Sequence, residues 1–310
     1  MKILIIGYSD LARRKIIPAI KKIRKLKFEI ASISKKEQNI GQDNWYRNYD
    51  IALKKSNAEI VYISIINSKH FIYALKALKK NKNVIVDKPI TLKHSQTLKL
   101  LEIAKKKKLL ISQALVFTYH RHIKVLKKII EKNRLKVNNI IMQFYIPKPT
   151  KGNFKLYNKT GGGCINDMIY YAAEVIRLFV GTKIKYQKMI IKKSKKINEH
   201  FTVTSVSEKI HFSGFYSHNS EYKNDIIFSS NKGIIKLNRF SAPPTNLDIQ
   251  VKVKLKNKIQ NISIKKDDTF KNYLFEYINI LRKKNYLFYH QRLLQDSKII
   301  ENLKQNKIII

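Results

Sequence analysis

The stretch Lys2-Ile3-Leu4-Ile5-Ile6-Gly7-Tyr8-Ser9-Asp10-Leu11-Ala12 decides the fold of this chain. Residues 2–6 are a short apolar run of the kind that makes a buried parallel strand. Gly7 interrupts the run, and an amphipathic pattern from Leu11 to about Ile23 predicts a helix. A strand, a glycine turn and a helix form the setting in which G-x-G-x-x-G has a mechanical meaning. The glycines let the backbone turn tightly and approach a pyrophosphate at the helix start. Only Gly7 matches here, because Ser9 and Ala12 occupy the second and third glycine positions. Ala12 still permits close helix packing, whereas Ser9 crowds the pyrophosphate approach but can offer a hydroxyl contact. Asp10 is unfavourable beside phosphate and is expected to point away.

Outward from this stretch the same unit repeats. A second strand, Phe28 to Ile33, ends in Ser34-Lys35-Lys36. Ser34 lies 22 residues past Ala12, where a dinucleotide fold places the group that reads the adenosine ribose. An acid there would bind the 2′-hydroxyl of NAD; a hydroxyl with two cations suits the 2′-phosphate of NADP instead. Residues 41–57 read as a partly exposed helix. Strand 59–65 leads into Ile66-Asn67-Ser68-Lys69-His70 and a helix over about 71–80. Val84-Ile85-Val86 leads into Asp87-Lys88-Pro89, and helix 91–107 and strand 109–117 follow. Strands alternating with helices specify an α/β Rossmann domain with a doubly wound parallel sheet. Ligands of such sheets gather at the carboxyl ends of the strands, where Gly7, Ser34, Asn67 and Lys88 all fall.

At 310 residues, 44% of them hydrophobic, the chain can form two ordinary domains. The expected division is 1–118 and 119–310. Lys and Arg number 64 against 21 Asp and Glu, a formal net charge of +43. A nucleic-acid binder is one class with such a charge. However, Lys, Ile, Asn, Tyr and Phe abound while Gly, Pro and Trp are scarce. The abundant residues have A/T-rich codons, so a biased genome produces the same excess without selection for a basic surface. The lysines are also spread along the whole chain. No specific nucleic acid partner is expected on this ground. No apolar run approaches the ~20 residues of a membrane span, so no membrane association is expected. Cys164 is the only cysteine, and a cytoplasmic location follows as the default.

The second half is organised around Gly161-Gly162-Gly163-Cys164-Ile165-Asn166-Asp167-Met168-Ile169-Tyr170-Tyr171. Three glycines allow a tight turn and close ligand approach. A helix follows, with Asn166 or Asp167 as its cap and Gly181 at its end. Asp167 and Tyr171 are four apart and share one helix face, so a carboxylate and a phenol stack there. Tyr119-His120-Arg121-His122 precede a helix and a strand 138–145. Two histidines at i, i+2 on a helix point to different faces, so no metal is expected. Residues 182–266 alternate as an antiparallel sheet with one solvated face, and helices 270–283 and 289–305 close the chain.

Gly7-x-Ser9-x-x-Ala12, Asn67-x-x-His70, Asp87-Lys88-Pro89 and Gly161 to Tyr171, in this order, resemble the glucose–fructose oxidoreductase / inositol dehydrogenase family. Asp87-Lys88-Pro89 resembles its E-K-P signature, and Gly161 to Tyr171 resembles its G-G-G-x-x-x-D-x-G-x-H/Y element. Tyr171 in the last place, with Asn153-Phe154-Lys155 upstream, looks like the branch of sugar-nucleotide ketoreductases. Ile169 departs from the family's glycine, and either narrows a pocket or packs.

The resemblance implies an α+β C-terminal domain with an open antiparallel sheet through which copies associate. It also implies hydride transfer between nicotinamide, NADP(H) preferred and NAD(H) possible, and a sugar or sugar-nucleotide carbon. The cofactor-binding residues it implies are Gly7, Tyr8, Ser9, Leu11, Ala12, Ser34, Lys35, Lys36, Ile65, Asn67, His70, Asp87 and Lys88. Lys88 would stabilise the developing alkoxide, and Tyr171 would donate its proton with a pKa lowered by a nearby cation. Asp167 would orient the sugar, with Tyr119, His120, Lys155 and Tyr170 lining the substrate and Tyr170 the alternative donor. A cleft between the domains would hold both ligands. The alternatives are a basic nucleic-acid-binding protein and a family fold without catalysis, and the joint presence of Lys88, Asp167 and Tyr171 argues against the latter.

Overall fold

The computed structural model describes residues 1–33, 40–192, 197–256 and 258–310. The readings of Ser34, Lys35 and Lys36 therefore lie outside the described residues. Met1–Leu115 and Phe270–Leu294 form one compact unit; Val116–Thr269 and Gln295–Ile310 form a second.

The first unit holds six strands, β1 (Lys2–Ile6), β2 (Lys27–Ala31), β3 (Trp45–Tyr46), β4 (Ile60–Ile63), β5 (Asn83–Asp87) and β6 (Ile111–Ala114). They lie in the order β3-β2-β1-β4-β5-β6, and every neighbouring pair is parallel. This is the doubly wound order, whose direction reverses between β1 and β4. Ile3 to Ile6 of β1 are essentially inaccessible, as a central strand covered on both faces requires. The helices here are α1 (Ile17–Lys21), α2 (Tyr49–Lys55), α3 (His70–Lys79) and α4 (His94–Lys106). Residues Ala12–Ile16 ahead of α1 are wound as a π-turn, and the Ile17 amide donates to Ala12 O. Pro18 has no N–H for the carbonyl four residues back, which accounts for the wider winding there. Residues 41–57, expected as a helix, are instead β3 followed by the shorter α2. Asn48 starts α2 by accepting from the Asp50 and Ile51 amides, which ends the extended segment before it.

The second unit contains α5 (His122–Lys132), β7 (Val137–Tyr145), α6 (Cys164–Val175), β8 (Tyr186–Ile191), β9 (His200–Val206) and β10 (His211–Ser217). It continues with β11 (Lys223–Ser230), β12 (Gly233–Asn238), β13 (Ile249–Leu255) and β14 (Lys258–Ile264). Helix α7 (Thr269–Lys283) and the first part of α8 (Leu287–Gln305) belong to the first unit, while the end of α8 and β15 (Lys307–Ile309) belong to the second. The sheet order is β14-β13-β12-β11-β7-β10-β9-β8-β15. It is an open, mainly antiparallel sheet with two parallel pairs, β7–β10 and β8–β15. Alternate residues, among them Ile140, Met142, Phe212, Phe201 and Phe228, are buried on one face. Helix α6 packs on that face, against β9 and β10.

The expected boundary at 118 assigns both late helices to the second unit, whereas residues 270–294 cluster with the first. The Tyr273 hydroxyl donates to Ser112 Oγ (2.9 Å), and the Tyr277 hydroxyl donates to Leu110 O (3.1 Å). His290 Nε2 lies 3.2 Å from Leu109 O. Among the described residues, no helix is long and apolar enough to cross a membrane.

Candidate active site

In the first unit the glycine turn sits where the sheet reverses. Gly7 has φ +97°, and a Cβ on it would lie 2.1 Å from Ser64 O and 2.5 Å from Ile65 Cγ2. Only glycine fits this turn, which brings the ends of β1 and β4 together. Ser9 does not project its hydroxyl outward as a phosphate contact would require. Its Oγ lies 2.6 Å from Ser64 Oγ and accepts the Ala12 amide at 3.0 Å. Ser64 donates onward to Asp87 Oδ2, and Asp87 Oδ1 accepts the Tyr62 hydroxyl at 2.8 Å. A line of hydrogen bonds thus joins the ends of β1, β4 and β5. Burial pushes the Asp87 carboxyl up to about 6, against the pull of the two hydroxyls. Each Asp87 oxygen accepts one of these hydroxyls, which ties down the strand end that presents Lys88.

His70 is also a tie within the scaffold. It is fully buried, with Nδ1 2.6 Å from Pro89 O and Nε2 3.0 Å from Ile65 O. Burial lowers its pKa, opposed by the two carbonyls. His70, expected at the cofactor, links the loops after β4 and β5. Asn67 is buried at the start of a short 3₁₀ turn, Ala12 is fully buried, and Tyr8, Ile65 and Lys88 are half-buried. Tyr8 packs edge-on against Trp45 at 5.2 Å, and Leu11 is exposed. Asp10 faces its own helix, paired with Arg13 at 3.2 Å and with Arg14. These residues fit a dinucleotide. Gly7 opens the backbone beside a helix start, Ala12 lets the helix pack close, and Lys88 brings a cation to the end of β5, two strands from β1 in the sheet.

In the second unit the glycine run serves the chain's own loop. A Cβ on Gly162 would lie 2.5 Å from Lys155 O, and the Gly163 amide donates to the same oxygen at 2.8 Å. The close approach expected of a ligand is thus made by residues 154–157, which seats Lys155 beside α6. The helix starts at Cys164, not at Asn166 or Asp167, with Gly163 (φ +95°) as its cap residue. Asn198 caps it from a distant loop, accepting the Cys164 amide at its O (3.0 Å) and the Ile165 amide at its Oδ1 (2.8 Å). Asp167 is left in the first turn, where its charge meets the positive end of the helix. Its Oδ2 accepts from Lys155 Nζ at 2.8 Å and lies 2.9 Å from His218 Nε2. Tyr171, one turn on, packs its ring against Phe144 (5.0 Å) and Phe117 (5.8 Å). Its pKa is raised, first by burial and then by Asp167, with Lys155 opposing. The lowered value expected from a nearby cation is not what this environment gives.

Other expected substrate residues fall elsewhere. Tyr170 is 6% exposed, and its hydroxyl is raised by burial and then by Asp296, not by Asp167. It lies off the Asp167–Tyr171 face. His120, expected to face the substrate, is 1% exposed. Its Nδ1 lies 2.8 Å from His122 Nδ1 and accepts the His122 amide at 3.1 Å. Burial lowers both imidazoles, so this is a neutral buried pair. Tyr119 is half-buried at the end of a 3₁₀ turn over Val116–Tyr119. Ile169 is fully buried and packs in the core. Asn198 and His218 had no local signal, since each meets its partner only through the tertiary fold.

The parallel sheet, its glycine turn and the Lys88 strand end define a dinucleotide-binding domain. Residues 1–115 match the oxidoreductase family with an NAD-binding Rossmann fold. Over that span, a little over a third of the chain, it is similar to the glucose–fructose oxidoreductase / inositol dehydrogenase family. It is 20% identical over 281 residues to a dTDP-3,4-didehydro-2,6-dideoxy-alpha-D-glucose 3-reductase of Actinomadura kijaniata, covering 86% of this chain and 83% of that one. A protein of the same description from Saccharopolyspora spinosa is 21% identical over 287 residues, with 86% and 83% covered. In fold the chain is similar to KijD10, a 3-ketoreductase from Actinomadura kijaniata solved with NADP and TDP-benzene. The TM-score is 0.94 at 18% identity, covering 100% of this chain and 98% of that one. An aldose–aldose oxidoreductase from Caulobacter crescentus has a TM-score of 0.85 at 14% identity, with 99% and 97% covered.

Proposed function

We propose that this protein is an NADPH-dependent ketoreductase acting on a keto sugar carried by a nucleotide. The observation that carries the reading is on α6: Tyr171 and Asp167 share one face, and Asp167 is fixed by Lys155. A phenol next to a pinned carboxylate suits protonation of a sugar oxygen. Burial and Asp167 both favour the neutral phenol, so Tyr171 holds its proton until an alkoxide forms nearby. The Asp167 carboxylate accepts hydrogen bonds from sugar hydroxyls and orients the ring. Lys88 lends a positive charge to the carbonyl oxygen as it gains electron density. When bound, the nicotinamide supplies the hydride. The two similar reductases that act on dTDP-linked sugars, and the similar fold solved with NADP, support a nucleotide-linked substrate and NADPH.

A homo-oligomer formed through the sheet of the second unit completes the reading. Strands β7, β9 and β10 contain no lysine or arginine, although these residues make up 64 of 310. Ile141 and Phe215 stand exposed on their outer face. A lysine-free face in so basic a chain suits contact with a second copy. A single cysteine, unable to form an internal disulfide, is compatible with the cytoplasm. Fluorescence titration with NADPH and NADH tests the cofactor. NADPH should bind at least roughly tenfold more tightly, and equal or stronger NADH binding would contradict the reading.

A further inference from the structure

The geometry points to His218 as a positioning residue for the reaction, one that fixes the Asp167 carboxylate against Tyr171. The inference rests on the ketoreductase reading above and adds a residue to it. His218 immediately follows β10 and is 3% exposed. Its main-chain amide donates to Glu199 O at 2.8 Å, which anchors the residue on the neighbouring chain segment. Its ring reaches α6, 51 residues back in the chain, with Nε2 2.9 Å from Asp167 Oδ2. An ionised carboxylate can only accept, so Nε2 carries the hydrogen. The same oxygen accepts Lys155 Nζ at 2.8 Å.

Two donors from separate segments therefore converge on one carboxylate oxygen. Lys155 comes from the loop held by the glycine run, and its side chain is 28% exposed; that of His218 is 4% exposed. The half-buried ammonium is more open to solvent screening than the imidazole is. The buried imidazole has a single placement and a directional bond, so it sets the carboxylate's orientation more tightly than Lys155 does. Asp167 lies one turn before Tyr171, and its charge favours the neutral phenol. A carboxylate free to rotate would orient the sugar less well and leave the phenol less securely protonated. His218 thus acts on the reaction through Asp167, without touching substrate.

The experiment compares wild type with His218→Gln and His218→Leu. Glutamine can place an amide N–H near the Nε2 position, whereas leucine fills the volume with no donor. Turnover of NADPH by wild type on a dTDP-linked keto sugar decides the ketoreductase reading by itself. Given that turnover, kcat of His218→Leu should fall roughly 10- to 100-fold, the effect of a lost charge-assisted hydrogen bond. NADPH affinity and thermal midpoint should stay near wild type, and His218→Gln should recover most of kcat. Wild-type kcat in His218→Leu, or no recovery in His218→Gln, would overturn the assignment. A second readout needs no substrate. With the aspartate carboxyls labelled with ¹³C, Asp167 should titrate at higher pH in His218→Leu than in wild type or His218→Gln, because a donor to its charged form is gone. Superimposable titrations in all three proteins would refute the contact, whatever the substrate is.

Discussion

Replacing Asp87 by Asn should change how stability depends on pH. In the folded chain the Asp87 carboxyl sits at about 6, against an ordinary value of 3.8, because it is buried among β4 and β5 residues. The folded state therefore binds this proton more tightly than the unfolded chain does. Between those two values the folded state carries the extra proton, so the contribution of Asp87 to stability is present at low pH. It is lost as pH rises through about 6. The shift of about 2 pKa units corresponds to ~3 kcal/mol in the limit, roughly half of it expressed between pH 5 and pH 8. Asparagine does not titrate. It keeps one carbonyl acceptor for Tyr62 or Ser64 and gives up the other, a loss of roughly 0.5–1.5 kcal/mol already present at pH 5, where the wild-type carboxyl is mostly protonated. The difference between wild type and Asp87→Asn should therefore move in favour of the variant by ~1.5 kcal/mol from pH 5 to pH 8. Urea unfolding read by tryptophan fluorescence measures it in the right unit. Trp45 is the only tryptophan and lies in β3, against Tyr8. Parallel stability curves for the two proteins from pH 5 to pH 8 would refute the desolvated carboxyl and the hydrogen-bond line built on it.

Tyr171→Phe should lower kcat by roughly 10²–10⁴ and leave NADPH affinity and thermal midpoint nearly unchanged. Tyr170→Phe, whose hydroxyl lies toward Asp296, should retain near-normal turnover; the reverse pattern would move the donor by one residue. In sedimentation the wild type should be a dimer or larger and Phe215→Glu a monomer, while a monomeric wild type would remove the sheet interface.

Much of the first unit was legible in the sequence because its signals are local. Apolar strands ending in Gly7, Asn67 and Lys88 set the parallel sheet, and their alternation with helices sets its class. The two-residue strand β3 was not legible. It pairs only through Ile30 and Ala31, and a segment that short carries no periodicity. Asp167 and Tyr171 were readable as one helix face, since helical spacing alone puts them together. Their surroundings were not. His218 and Asn198 reach α6 from distant loops, and the burial of His120 and His70 depends on packing that no short pattern encodes. The glycine run shows both sides of this. Its tight turn was readable, but the carbonyl it makes room for is that of Lys155. The charge of +43 was legible as a total, while its absence from β7, β9 and β10 gained meaning only once those strands were neighbours in one sheet.

The central claim is that this chain reduces a keto sugar linked to a nucleotide, using NADPH. Its most direct test is the loss of NADPH absorbance when the purified protein meets a dTDP-linked 3-keto sugar, with NADH as the parallel arm. Saturable oxidation of one NADPH per keto sugar, faster than with NADH and abolished in Lys88→Ala, is the predicted result. NADPH consumption no faster than in the protein-free mixture, with cofactor and sugar nucleotide both bound, would contradict the account.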